Sequence, residues 1–364
     1  MEYGELIDFE LLINGVSPAN PAGIDPRTDI SPTSQYYLLK DTRSQARANE
    51  RALLSEDEDF QALASDWRPL SEQLPAILSS QVKDLEYAAW LIEALCRTDG
   101  FAGLAAGFKT TRLLIEHFWP QLYPQPDEDG MEVRIAPLIG LNGYEGDGAL
   151  ITPILSIPLT ELTSFGQFAC WQYERAADLS RKDEKRQKLK TDAGIANLEQ
   201  IKDAVAQTSV AFYYQLKQQI ELAIAEFALL SKAMDQAMAG EPQPTSAISK
   251  ALQKCLDAVV YLAADKLSQV SAPIEVGGVN GAEPAAPNVD PVAQQLQTRE
   301  QVLSSLQQAA EFFRKTEPHS PVSYALEQVL HWSALSLPEL LQELIDDNNS
   351  RNQYFRLAGI PQQK

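Results

Sequence analysis

Between Tyr213 and Ala237 the apolar residues recur at alternating steps of three and four: Tyr213, Leu216, Ile220, Ala223, Phe227, Leu230, Met234 and Ala237. A stripe of that period, sustained for more than three heptads, lies along one face of a helix and has to be covered by another helix. The cover comes either from the same chain, with the helix expected over residues 246–267 as first candidate, or from a second copy. Heptads alone do not choose between the two. Leu216, Ile220, Phe227 and Leu230 are therefore candidate interaction residues, and a fold able to satisfy such a seam is mainly α, built of helical hairpins and bundles.

The rest of the chain follows the same pattern. Asp84 is placed to cap a helix whose apolar positions Leu85, Ala88, Ala89, Ile92 and Leu95 share a face, with Asp99-Gly100 as its stop. A second stripe from Leu104 to Leu122 runs until Pro124, which predicts a helical hairpin. A short helix is expected over 133–141, closed by Asn142-Gly143. Near residues 148–170, glycine, proline and short β-branched runs predict an extended or β-hairpin connector. From Ser271 to Val292 there are four prolines and three glycines with no basic or aromatic residue, a composition that cannot make a core and reads as a flexible linker. After it, Val302, Leu303, Leu306, Ala309, Ala310 and Phe313 form an amphipathic face. Glu317-Pro318-His319-Ser320-Pro321 is a proline-bracketed turn, and helices are expected around 322–332, 338–345 and 350–358. The expected domains are a helical domain over 1–165, a middle helical domain over 166–270, the linker 271–292 and a small helical domain over 293–364.

Charge narrows the function classes. The chain carries 50 acidic and 30 basic side chains, and residues 1–150 alone hold 25 Asp and Glu against 11 Lys and Arg. An excess of that sign repels phosphate backbones and anionic lipid, so nucleic acid and membrane insertion are not expected. The basic run from Arg181 to Lys190 contains two acids and no aromatic, and reads as a solvated segment. No uncharged run reaches the about 18 residues of a membrane span, the first residues are acidic where a secretory signal is basic, and three widely spaced cysteines suit a reducing compartment. The expected location is cytoplasmic.

Signatures of catalysis are missing. There is no phosphate-binding loop, nucleophile elbow or zinc helix motif. Glu327 and His331 stand one helical turn apart, with Asp346 and Asp347 farther along. Two ligands do not make a site, and His331 beside Trp332 reads as a helix-packing or surface residue. His117 is expected to pack on the hairpin or pair with a carboxylate. Asp127 and Asp129 resemble the start of a calcium loop but lack its third acidic position and closing Glu, so they read as an exposed acidic turn. No metal, cofactor or catalytic residue is expected.

Several fragments, in order, resemble a known domain: Pro21 to Arg27; Lys83-Asp84-Leu85 with Ala89 to Leu95; Gly100 to Leu104; Phe118-Trp119-Pro120 with Tyr123-Pro124; Pro126 to Asp129; and Leu141-Asn142-Gly143. Together they look like the ImpA N-terminal domain that marks the TssA family of bacterial type VI secretion. Ala309 to Arg314, Glu317 to Val322, Trp332 and Leu337 to Leu341 are similar to the short C-terminal domain of one subgroup of that family. The resemblance implies a non-enzymatic assembly protein that forms a ring-like homo-oligomer through its C-terminal domain. It implies baseplate, sheath and tube subunits as partners, with the protein at the baseplate or the tail end. Phe312, Phe313, Glu317, Pro318, His319, Pro321 and Trp332 are then the candidate oligomerisation residues. A helical adaptor of another cytosolic assembly is the alternative reading.

Overall fold

The computed structural model of the chain describes residues 6–55, 60–126, 130–144, 146–180, 196–268, 306–307, 310, 313–314, 321–335 and 340. The chain divides into two compact units, Met1–Glu275 and Val276–Lys364. Among the described residues the protein is helical, with isolated β-bridges and no sheet, as the sequence patterning predicts.

The first unit contains α1 (Phe9–Leu12), α2 (Gln35–Ser55), α3 (Arg68–Ser80), α4 (Leu85–Thr98), α5 (Gly100–Phe118), α6 (Glu132–Asn142), α7 (Ile151–Leu155), α8 (Cys170–Ser180), α9 (Leu198–Gln207), α10 (Val210–Ala237), α11 (Ser246–Leu262) and α12 (Ala264–Ser268). Short 3-10 helices lie at Pro26–Thr28 and Phe60–Trp67. The α4–α5 hairpin forms where the caps place it. The Asp84 carboxylate accepts the Tyr87 N–H at 2.9 Å, and Gly100, at φ 57°, reverses the chain after Thr98. The two helices approach so closely that a Cβ on Gly107 would stand 2.9 Å from Ile92 Cγ1.

The heptad stripe becomes α10, and its cover is intrachain. Tyr213, Leu216, Ile220, Ala223, Phe227, Leu230 and Met234 are buried, and Ala237 at the end of the helix is half-buried. Most of the cover comes from α5, with α11 second. The Phe108 and Phe227 rings meet at 4.8 Å between centroids and 52° between planes, and Arg112 pairs with Glu226 at 3.3 Å beside them. The expected partner over 246–267 is thus present but subordinate. The expected division at 165/166 does not separate compact units either, because a helix from each side of it builds the same core.

The expected connector is half helical. Leu150 and Ile154 are buried on one side of α7, and Pro153 occupies its third position, where a missing N–H costs no intrahelical bond. The hairpin follows, with Leu159 N–H donating to Phe168 O at 2.7 Å and bridges joining Pro158 to Ala169 and Thr163 to Gly166. Side chains complete other ends. Asn142 Oδ1 accepts from both Ala247 N–H and Ile248 N–H at 3.0 Å, capping α11 from outside the helix. Arg134, buried at 1% exposure, donates to the Trp119 and Pro124 carbonyls and to Gln125 Oε1, where α5 runs out.

In the second unit, Pro321 begins α13 (Pro321–Ala334), in agreement with the helix expected at 322–332. Ser323 and Ala310 are buried there, Tyr324 is exposed, and Arg314 pairs with Glu327 at 2.5 Å. The basic run, the 271–292 linker, Asp127, Asp129, most of the expected 302–313 helix and those at 338–345 and 350–358 lie outside the described residues.

Candidate interaction surfaces

Helices α2 and α4 are joined by a ladder of charged and aromatic side chains. Tyr36 Oη donates to Glu86 at 3.0 Å, Arg43 Nε to Glu93 at 2.6 Å and Arg47 Nε to the same carboxylate at 2.8 Å. Arg97 then donates from α4 to Glu50 at 2.7 and 2.9 Å, and Trp67 Nε1 donates to the same group at 2.8 Å. The Arg97 guanidinium also lies 4.0 Å from the Trp67 ring centroid. Glu93 is fully buried, so its charge depends on the two arginines that hold it. Arg27, Arg43, Arg47 and Arg97 pair with Asp25, Glu50, Asp84, Glu86 and Glu93. The seam is therefore close to neutral, and most of the acidity of residues 1–150 rests on side chains outside it.

At the head of the ladder, the segment Asn20–Ile30 is bound to the start of α4. Arg27 pairs with Asp84 at 2.7 Å, Glu86 at 2.7 Å and Asp25 at 2.9 Å, and its guanidinium lies 5.2 Å from the Tyr36 ring centroid. Asp84 is fully buried; burial pushes its carboxyl up and the Arg27 charge opposes that. Next to it, Lys83 is also buried and donates three hydrogen bonds, to the carbonyls of Leu12, Leu78 and Ser79 at 2.8, 2.9 and 3.0 Å. Burial lowers its ammonium to about 8. The Tyr87 hydroxyl is buried close by without a hydrogen-bond partner.

The sequence-predicted site residues fall into three groups. Leu216, Ile220, Phe227 and Leu230 are buried inside the first unit, so α5 and α11 satisfy the apolar demand that made them candidates for a subunit contact. In the second unit, Phe313 is half-buried and Pro321 is the first residue of α13. Trp332 is half-buried with its indole N–H enclosed and unpartnered. Phe312, Glu317, Pro318 and His319 lie outside the described residues, as do Asp346 and Asp347. Glu327 is engaged by Arg314. His117 is exposed, with its ring 6.3 Å from that of Phe118. A cavity of about 10 Å³ between α4, α5, α6, α10 and α11, lined by Ile92, Phe108, Leu138 and Phe227, has room for about one water molecule and is no substrate cleft.

The Arg27 cluster was not singled out chemically in the sequence, since its ion pairs join residues 57 and 59 positions apart. Asp25, Arg27 and Asp84 do lie within two of the fragments that carry the family resemblance. Comparison with known proteins gives those fragments their meaning. Residues 13–143 match the family described as ImpA, N-terminal, type VI secretion system. The type VI secretion system component TssA1 of Pseudomonas aeruginosa is 25% identical over 354 residues, covering 96% of this chain and 98% of the relative. The chain is similar to the TssA family over nearly its whole length. In fold, the chain is similar to a solved N-terminal domain that includes the conserved ImpA_N region of the TssA component of the type VI secretion system from Burkholderia cenocepacia. The TM-score is 0.57 at 23% identity, over 71% of this chain and 94% of that one. The match to residues 13–143 spans α2 to α6, and so includes both the ladder and the Arg27 cluster. Among the described residues no helix is long and apolar enough to cross a membrane.

Proposed function

We propose that the protein is a non-enzymatic assembly component of the type VI secretion system. It forms a ring-like homo-oligomer through residues 293–364, and its first unit engages baseplate, sheath and tube subunits to prime or coordinate tail assembly. It acts in the cytoplasm, at the baseplate or the tail end. The observation that carries this reading is the end-to-end similarity to TssA1, which takes in both compact units. Physical considerations support it. The first unit closes its own core, and its long seam needs no second copy. The second unit is small for independent stability, so burying Phe312, Phe313 and Trp332 against neighbouring copies would complete its core. A Pro- and Gly-rich tether at 271–292 would let a ring of such units hold acidic arms that reach several partners, each at raised effective concentration.

The test compares the full chain with a chain ending at Val270, by light scattering and by pull-down of purified baseplate and sheath subunits. A large assembly that captures those subunits, against a monomer that does not, is the expected result. A full chain that is monomeric and captures none of them overturns the proposal.

A further inference from the structure

The segment Asn20–Ile30 is held far more firmly than a loop needs to be. The Lys83 N–H donates to Ala22 O at 2.8 Å, and Gly23 O accepts from both the Asn20 side chain and Tyr123 Oη. Gly23 sits at φ 77°, and a Cβ there would stand 2.1 Å from Gln81 O, so only glycine lets the strand-like stretch lie on the α3–α4 turn. On one side of that glycine, Ala22 is fully buried; on the other, Ile24 is 73% exposed. Asp25 then caps the 3-10 turn, Arg27 fastens it to Asp84 and Glu86, and Ile30 emerges 81% exposed beyond the exposed Asp29. Asp25 and Arg27 turn inward to the frame while the large apolar Ile24 and Ile30 face outward, the reverse of what folding alone favours. Single exposed apolar side chains are ordinary; an ionic frame anchored on a buried carboxylate that fixes the backbone presenting two of them is not.

We propose that this segment is the docking element of the first unit, with Ile24 and Ile30 entering an apolar socket on a folded partner protein. The socket is edged by Lys or Arg. Asp29 stands exposed beside Ile30 in the sequence, outside the paired seam, and the 25-to-11 excess of acid over base across residues 1–150 attracts a basic surface of that kind. Since the frame already orders the backbone, docking forfeits little conformational freedom. The inference rests on the assembly reading above and names the surface used.

The experiment takes the full chain and measures equilibrium binding to purified baseplate, sheath and tube subunits of the same secretion system, at about 0.1 M and about 0.5 M salt. The expected result is binding of the unaltered chain to at least one subunit, weakened about ten-fold or more by Ile24→Ser/Ile30→Ser with an unchanged melting curve, and weakened again by high salt. Asp29→Lys, at an exposed position, should slow association on its own and covers the case in which the double variant misfolds. Equal binding by the unaltered chain, the double variant and Asp29→Lys overturns the docking element and leaves the assembly role standing. Failure of the unaltered chain to bind any of the subunits overturns both.

Discussion

Arg27 reaches Asp84 across 57 residues of sequence and closes on its fully buried carboxylate at 2.7 Å, while its second Nη reaches Glu86. Removing the guanidinium leaves Asp84 enclosed and short of its counter-ion. Arg27→Ala is expected to destabilise the first unit by about 3 kcal/mol, the range for breaking a buried pair from one side. Arg27→Lys should recover only part of this, because one ammonium cannot satisfy the fork. Urea unfolding followed by circular dichroism reads both.

The α5–α10 contact sets a second expectation. Phe227→Ala should cost about 3–5 kcal/mol through the cavity it leaves against Phe108, whereas Leu229→Ser, on the exposed face of the same helix, should change stability by less than about 0.5 kcal/mol. Replacing Leu216, Ile220 and Phe227 by Glu should unfold the unit. A folded triple variant of reduced assembly size would show the seam to be a subunit contact.

Tyr87→Phe provides a test in the opposite direction. Its hydroxyl is buried with no hydrogen-bond partner, so deleting it removes a desolvated dipole and no bond. The variant is expected to be as stable as the parent, or up to about 1 kcal/mol more stable, in the same urea titration.

Lys83 gives a pH dependence of known sign. Its folded-state value is lowered to about 8 by burial, while in the unfolded chain the ammonium keeps its proton to about 10.4. Between those values the unfolded state binds more protons, so this group's contribution to stability rises with pH across that window and is lost as pH falls through 8. The difference in unfolding free energy between the parent and Lys83→Met should therefore shift in the parent's favour from pH 8 to pH 10.4 and stay flat from pH 6 to pH 7.

All three cysteines are free and buried, and burial pushes the Cys96 thiol up to about 12. A thiol-specific disulfide reagent at pH 8 should titrate almost none of them in the native chain within minutes, and all three after denaturation. Rapid native labelling would contradict the packing around Cys96, Cys170 and Cys255.

The elements that local chemistry specifies were readable from the sequence. The α4–α5 hairpin is written in Asp84, Gly100 and two apolar stripes, and α10 in its heptads. The partner of α10 was not readable, because a periodic face states only that something must cover it. Alanines and glycines on α5 admit α4 closely enough for the hairpin to offer its other face to α10, a matter of volume that no period records. At Ile151–Leu155, Pro153 and β-branched residues suggested an extended connector, but the burial of Leu150 and Ile154 decided for a single helical turn. The ladder was the least legible part, since its partners lie 46 to 50 residues apart and each charge looks solvated on its own.

The ladder also fixes a direction. Tyr36 meets Glu86 and Arg43 meets Glu93, each pair 50 positions apart, so α2 and α4 ascend side by side with the same polarity. Sliding one past the other by a single turn, about 5.4 Å, would unseat every rung together and strand Glu93 and Glu50 without counter-ions. The two helices work as a keyed joint with one permitted setting: α2 is seated or it is off. A pull on the first unit transmitted along α2 is therefore resisted by all the rungs at once, which suits a part that must bear load without creeping.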